Sequence, residues 1–96
     1  YKGCFVKEAE QIMNYAVVFT YSFDDDVAAY LFENELSAKD FLMLSYAEEL
    51  RIDVEENKWD SAGVLSDDGW YAKITTSFHD HEDVTEIRIG CVYTKG

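Results

Sequence analysis

Hydrophobic and polar residues alternate strictly over residues 14–23, NYAVVFTYSF, with aromatic or β-branched side chains at every second position. A period of two residues is typical of a strand with one buried face. Three aspartates at 24–26 interrupt the pattern, and the apolar run VAAYLFE follows them. We therefore predict a hairpin with an aspartate tip. Its register stays open, because a three-residue loop pairs Phe19 with Leu31 and a two-residue loop pairs it with Tyr30.

The hydrophobic period lengthens in the next segment, NELSAKDFLMLSYAEELRIDVEEN, which predicts one main helix that continues to about Glu55. Ser37 and Asp40 suit the first turn of this helix, where a hydroxyl caps an N–H and an acid favours the positive end of the helix dipole. Phe41 and Ile52 fall outside the predicted apolar face. That face comprises Leu42, Met43, Tyr46, Ala47, Leu50 and Val54.

Two more segments alternate near the C-terminal end, WYAKITTSF at 70–78 and TEIRIGCVY at 85–93. If Phe78 pairs with Thr85, the apolar residues of both segments lie on the same face, as a half-buried hairpin requires. Between the helix and this hairpin, the segment NKWDSAGVLSDDGW is predicted to be a loop, with Gly63 as one of its turn signals.

Together these elements predict an α+β fold of order ββαββ. Its antiparallel four-stranded sheet carries the main helix on the apolar face. The 96 residues are predicted to form one domain, 1–96, because domains commonly span about 50 to 250 residues. Residues 14–93 are the predicted core, and residues 1–13 are predicted to form a short helix or an arm.

Composition changes this picture chiefly through charge. Apolar residues make up 48% of the chain, but 20 acidic residues against 8 basic ones give a net charge of −12. Such a field repels phosphates and anionic lipids and attracts basic protein surfaces. We therefore expect a basic protein partner, with no direct nucleic-acid binding and no membrane association. The alternative is that the acidity only keeps a bacterial cytosolic protein soluble.

The two cysteines, Cys4 and Cys91, have neither zinc-site nor redox-motif spacing. Cys91 falls in a strand pattern and is predicted to be a buried small apolar residue rather than a reactive thiol. Whether the two cysteines form a disulfide depends on geometry that the sequence does not give. A cytoplasmic location is the prediction.

The stretch HDHED at 79–83 contains both histidines of the chain among three acids. It is predicted to be the polar turn of a hairpin, with no metal and no cofactor bound. The alternative is a metal-dependent regulator or small enzyme that uses His79, His81 and Asp83. A further hypothesis is pH sensing, since neighbouring carboxylates raise histidine pKa values. The DDD and SDDG stretches lack the ligand spacing of a calcium loop and are predicted to be turns.

Aromatic residues beside carboxylates predict a protein-binding surface, because rigid rings contribute affinity and charge speeds the encounter. The predicted surface comprises Asp24, Asp25, Asp26, Glu48, Glu49, Asp53, Glu55, Glu56, Asp67, Asp68, Trp59 and Tyr71. Two alternatives stay open: the N-terminal segment covers the aromatic residues, or a second copy of the chain covers them in a homodimer.

In size, charge, aromatic content and α+β layout, the chain resembles small acidic inhibitor proteins of two kinds. These are immunity proteins that block bacterial toxins, and phage or mobile-element inhibitors that mimic DNA. No motif carries the resemblance, and it assigns no residue a role. It implies an inhibitor that acts along a track of carboxylates or through a compact acid–aromatic plug.

Catalysis is not expected, because the sequence contains no phosphate-binding glycine loop, nucleophile elbow or HExxH motif. The chain is therefore predicted to be a non-enzymatic interaction domain. A further alternative is an accessory domain of a larger assembly, whose charge serves only solubility.

Overall fold

Five antiparallel strands and one main helix form the structure, a computed structural model that describes residues 10–95, with side chains described from 14 to 93. Along the chain the elements are β1 (Glu10–Tyr21), β2 (Asp24–Phe32), α1 (Glu35–Arg51), a π-helical segment (Ile52–Glu56), β3 (Asp60–Leu65), β4 (Tyr71–Ser77) and β5 (Glu82–Lys95). The strands lie in the order β2-β1-β5-β4-β3, and α1 packs on one face of the sheet. The predicted α+β class with one main helix is confirmed, whereas the predicted four strands and ββαββ order are wrong.

The first hairpin turns earlier than the sequence predicts. Ser22 and Phe23 form the turn, and Asp24 already pairs with Tyr21. The three aspartates at 24–26 therefore begin β2 and do not form the tip of the hairpin. The Asp24 carboxylate accepts a 3.0 Å hydrogen bond from the backbone N–H two residues further on, which stabilises the start of the strand.

Both predicted registers of this hairpin are wrong. Phe19 pairs with Ala28, not with Tyr30 or Leu31. The observed register places Tyr30 on the face that α1 covers, where its ring centroid lies 5.7 Å from that of Phe19 and 5.1 Å from that of Phe41. Contact between aromatic rings and the helix is consistent with this register, which loop length alone leaves open.

The second hairpin keeps its predicted faces but has a different register. Ile87 pairs with Ala72 instead of Thr76. The Phe78 N–H donates a 2.8 Å hydrogen bond to the His81 carbonyl, which closes a short turn. Because the shift in pairing is an even number of residues, the apolar side chains of both strands still face the helix.

Residues Asp60–Leu65, predicted to be part of a loop, form the edge strand β3 beside β4. The Tyr46 side chain of α1 reaches Gly63 of this strand, since a Cβ atom on the glycine would lie 2.7 Å from Cε1 of Tyr46. The glycine therefore marks a close approach of a ring to the backbone, not a turn. The hydroxyls of Ser61 and Thr76 share a 2.6 Å hydrogen bond across the strand pair.

The helix begins at Glu35, because the Asn34 side chain accepts a 2.8 Å hydrogen bond from the Ser37 N–H. Asn34 is thus the N-cap, and Ser37 lies inside the first turn. The α-helix ends at Arg51, and the predicted continuation takes π-helical form over Ile52–Glu56.

The predicted apolar face of α1 is partly wrong. Leu42 is fully buried as predicted, but Phe41 also faces the sheet and packs on Phe32 with ring centroids 5.0 Å apart. Met43, assigned to the predicted face, is 49% exposed. Apolar side chains occur on all sides of α1, so their period leaves the rotation of the helix undecided. The buried core comprises Val17, Phe19, Ala38, Leu42, Trp70, Ala72, Ile74, Ile87 and Ile89.

Residues 10–13 belong to β1, so of the two predicted forms of the N-terminal segment, a short helix or an arm, the helix is not found there. Residues 1–9, and the idea that they cover aromatic side chains, lie outside the described residues. β1 and β5 continue past the ends of β2 and β4 as a two-stranded ribbon, and the described part of the chain measures 51 × 24 × 19 Å. Within residues 10–95, no helix has the length and apolar character needed to cross a lipid bilayer.

Candidate functional site

One end of the sheet brings together segments that are distant in sequence. The β1–β2 turn lies against β5, because Ser22 donates from its N–H to the Val84 carbonyl at 2.9 Å and accepts at Oγ from the Val84 N–H at 2.8 Å. The π-helical segment is tied to the residues before β3, since the Trp59 N–H donates to the Asp53 carbonyl at 2.8 Å. A cleft opens between these segments beside the C-terminal part of α1.

The cleft has a volume of about 250 Å³. We call it the acid–aromatic cleft; it is lined by Tyr21, Phe23, Trp59, Glu49, Asp53, Asp83, Thr76 and Thr85. No lysine, arginine or histidine is among these lining residues. The cleft therefore combines aromatic ring surfaces with negative charge and contributes no positive side chain of its own.

A second hollow of about 280 Å³ adjoins the cleft and shares Tyr21 and Glu49 with it. Its other lining residues are Phe19, Tyr30, Phe41, Ser45 and Glu48. Glu48 is already paired, because Nη2 of Arg51 lies 2.6 Å from its carboxylate. The unpaired negative charge next to the rings is thus concentrated on the side of the acid–aromatic cleft.

Burial raises the pKa of Glu49 above its ordinary value, and the nearby Asp53 carboxylate raises it further. The pKa of Tyr21 is raised as well, first by burial and then by the charge of Glu49. Both shifts indicate a partly desolvated place in which negative charges lie close together. A positive charge that entered the cleft would offset this repulsion.

Ring contacts connect the cleft to the β4–β5 turn. Trp59 packs edge-on against Phe78 with centroids 5.4 Å apart, and Phe78 stacks on His81 at 4.9 Å. The His81 imidazole lies 2.6 Å from Asp80 and 3.5 Å from the cleft residue Asp83. The hydrogen bond to Asp80 raises the pKa of His81, the direction expected from the neighbouring acids, and the pH-sensing hypothesis stays a prediction.

Part of the predicted protein-binding surface does meet at this end of the sheet. Glu49, Asp53 and Trp59 line the cleft, and the aspartates at 24–26 directly follow the cleft residue Phe23. The sequence therefore identified three of the residues that form the cleft and an acidic segment at its edge.

Glu48, Glu55 and Glu56 lie close by but outside the cleft. The single guanidinium of Arg51 lies 2.6 Å from the Glu48 carboxylate and 2.8 Å from that of Glu56. Two of these three acids are therefore partly neutralised within the molecule itself.

The remaining predicted residues lie elsewhere. Asp67 and Asp68 belong to the β3–β4 turn at the opposite end of the sheet, where the Trp70 N–H donates to the Asp68 carboxylate at 3.1 Å. Tyr71 lies on the sheet face away from α1, and its hydroxyl donates to Glu86 at 2.5 Å. The predicted residues consequently do not form one continuous surface.

Sequence reasoning missed Tyr21 and Phe23 and considered Asp83 only as a metal ligand. One feature of the sequence could have identified these two aromatic residues as part of the site, because they lie directly before a run of aspartates. A turn there exposes the second ring, and Phe23 is indeed 59% exposed. The threonines of the cleft gave no signal, because threonine is ordinary in strands.

The metal hypothesis gains no support. His79 and His81 lie in the β4–β5 turn, and both side chains are exposed. In the part of the chain that the structure describes, no group of three or more histidine, cysteine and acidic side chains is arranged to hold a metal ion.

Cys91 is half-buried in β5 and is disulfide-bonded. The prediction of a simple buried thiol at this position is therefore wrong. The other cysteine of the chain, Cys4, lies outside the described residues.

The chain matches no protein-family model, no curated protein and no solved structure. Its function has therefore to be inferred from the geometry and charge of the cleft and of the surface around it.

Proposed function

We propose that this chain is a non-enzymatic interaction domain that binds a basic protein surface with the end of the sheet that carries the acid–aromatic cleft. The observation that supports the proposal is the concentration of carboxylates at that end. The residues of this acidic end are Asp24, Asp25, Asp26, Glu48, Glu49, Asp53, Glu55, Glu56, Asp60, Asp80, Glu82 and Asp83.

The negative field of the whole chain supports the same proposal. A net charge of −12 attracts a basic partner over distances of about 8–10 Å at moderate ionic strength and speeds its encounter. The aromatic rings of the cleft then supply contacts that do not depend on charge. The field also makes direct binding to nucleic acid unfavourable, since phosphates would be repelled.

Among the two kinds of inhibitor that the chain resembles, the compact plug is better supported than the phosphate track. A track needs carboxylates spaced along the length of the molecule, whereas most acids of the predicted surface lie at the cleft end and only Asp67 and Asp68 lie at the opposite end. The acids and rings around the cleft instead form a compact patch. We infer that the domain blocks a basic binding or active site of its partner, as an inhibitor would.

The test begins with capture of partners from the native cell lysate, washed at low and then at high ionic strength. The affinity of the purified partner is then measured for the triple variant Asp24→Asn, Asp25→Asn, Asp26→Asn. We expect about tenfold weaker binding, because three charges at the acidic end are removed without a change in size.

The matched control is the triple variant Glu33→Gln, Asp40→Asn, Asp67→Asn, which removes the same charge away from the acidic end. It should bind the partner within about twofold of the original chain. An acidic or neutral partner, or binding that ignores ionic strength, would contradict the proposal. Equal losses in the two triple variants would show that net charge matters but its place does not, and no loss in either variant is what the solubility alternative expects.

The location is a separate proposal. The number and spacing of the cysteines favoured the cytoplasm, whereas the disulfide at Cys91 favours an oxidising compartment. A basic partner in either compartment is compatible with the surface described above.

A further inference from the structure

The acid–aromatic cleft by itself lies just below the size range of small-molecule pockets. Pockets for such ligands have volumes of about 300–1,000 Å³, and this one has about 250 Å³. The volume instead suits the end of one long side chain or a small compact ion. Its three rings, Tyr21, Phe23 and Trp59, come from the β1–β2 turn region and from the segment before β3.

Two of the three carboxylates of the cleft have no basic side chain within ion-pair distance among the described residues, although they lie beside aromatic rings. Elsewhere ion pairs form readily: Lys39 lies 2.8 Å from Glu35 and Arg88 lies 2.9 Å from Glu86. Among the described residues, Glu49 and Asp53 form no such pair. The third cleft acid, Asp83, has only the His81 imidazole at 3.5 Å.

Rings and unpaired carboxylates together select one class of ligand. An aromatic face attracts an organic cation through its quadrupole, and it does so best where water is partly excluded. Hard metal ions prefer shells of six or more oxygen atoms and gain little from rings. The raised pKa of Glu49 fits a site that lacks a positive charge.

We propose that the acid–aromatic cleft receives one organic cation, the ammonium or guanidinium group of a lysine or arginine side chain of the basic partner. Trp59 and Phe23 contact the alkyl stem and the cation, and Glu49 and Asp53 pair with its charge. The assignment rests on the proposed function, because the cation belongs to the same basic protein. The cleft would then be the centre of the interface and hold the partner by specific contacts, in addition to the long-range attraction of the acidic end.

The first test is a nuclear magnetic resonance titration of the isotopically labelled chain at low ionic strength. The probes are Nα-acetyl-lysine amide, Nα-acetyl-arginine amide and tetramethylammonium, with magnesium as the inorganic control. We expect the two amino-acid amides to cause a saturable shift of the Trp59 indole N–H. The buried Trp70 indole serves as the internal reference.

The decisive variant is the double amide substitution Glu49→Gln, Asp53→Asn. It keeps the shape of the cleft, and we expect it to weaken binding of the amino-acid amides about tenfold. The matched control Glu33→Gln, Asp67→Asn removes the same charge at the opposite end and should change binding less than about twofold. An unchanged midpoint of thermal unfolding in both double variants shows that the fold is retained.

Three results would overturn the assignment. They are shifts that do not saturate, equal weakening by the two doubles, and magnesium binding in the cleft more tightly than the amides. Saturation by tetramethylammonium with no binding of either amide would assign the cleft to a separate small cation and also reject the side-chain ligand.

The partner assay separates this assignment from the proposed function. If the Glu49→Gln, Asp53→Asn double loses partner affinity while the Glu33→Gln, Asp67→Asn double keeps it, both stand. If the Glu49→Gln, Asp53→Asn variant binds the partner normally but the triple variant at 24–26 does not, the proposed function is supported and the assignment of the cleft is rejected. If no basic partner is bound in a salt-dependent way, the proposed function falls, whatever the titration shows.

Discussion

His81 illustrates how a residue in an exposed turn acquires a defined environment. Its ring stacks on Phe78, and its two nitrogen atoms face the carboxylates of Asp80 and Asp83 at 2.6 and 3.5 Å. These carboxylates favour the protonated imidazole, while exposure to solvent limits the size of the effect. The pKa of His81 is therefore raised, chiefly by the hydrogen bond to Asp80.

The sign of the resulting pH dependence follows from linkage. A histidine with a raised pKa in the folded state stabilises the fold fully below its unfolded pKa of about 6.5, and this contribution is lost as the pH rises through the folded value. We expect the Asp80→Asn variant to lower the His81 titration midpoint measured by nuclear magnetic resonance. Asp67→Asn, at the far end of the sheet, should leave the midpoint unchanged. A midpoint of His81 at or below about 6.5 in the original chain would reject this account.

At the scale of elements, contacts between α1 and the sheet decide details that strand and helix periods leave open. Tyr46 of α1 packs on Gly63 of β3, and Phe41 packs on rings from the first hairpin. These contacts explain why β3 tolerates a glycine at its centre and why Phe41 faces inward. Each contact gives a prediction with a matched control.

The contact between Tyr46 and Gly63 predicts that the Gly63→Ala variant is less stable. The added methyl group would meet the Tyr46 ring, with 2.7 Å to Cε1, so we expect a loss of about 1–3 kcal/mol in the free energy of unfolding. Gly90→Ala is the control, because a Cβ atom there meets nothing within 4 Å. It should be neutral or stabilising by up to about 1 kcal/mol.

Denaturant unfolding measures both variants, and a double-mutant cycle with Tyr46→Leu identifies the cause. If the ring is responsible, Gly63→Ala should cost much less in the Tyr46→Leu background. A full cost in that background would place the cause in the strand itself rather than in its contact with α1.

The contacts of Phe41 give a prediction about the rotation of α1 on the sheet. Phe41→Ala should lower the free energy of unfolding by about 2–4 kcal/mol, because it removes contacts with three aromatic rings. Met43→Ala should stay within about 0.5 kcal/mol, because Met43 is largely exposed. The apolar face read from the sequence predicts the reverse order of costs, so thermal or denaturant unfolding of the pair decides between the two rotations.

At the scale of the whole molecule, shape and charge act together. The described chain is elongated, and its acidic end carries the cleft while Lys39 lies at the other end, next to the β3–β4 turn. Such an arrangement orients the molecule in the field of a basic partner before contact. The salt-dependent partner assay proposed above tests this orientation, since the two triple variants have equal net charge and differ only in where the charge is removed.

The sequence by itself determined the properties that depend on local pattern. Alternation at 14–23, 70–78 and 85–93 identified the strands β1, β4 and β5 and their buried faces, because a period of two is set by the backbone. One main helix and the strongly negative charge also followed from the sequence. At the cleft, Glu49, Asp53 and Trp59 were identified because acids and rings clustered along the chain.

Only the tertiary structure decided what depends on contacts between distant segments. The registers of both hairpins, the rotation of α1 and the edge strand β3 are fixed by packing partners that no local pattern specifies. The same is true of the cleft, which exists because Tyr21, Trp59 and Asp83 meet at one end of the sheet. Because these three residues are far apart in the sequence, no local sequence pattern predicts that they line the same cleft.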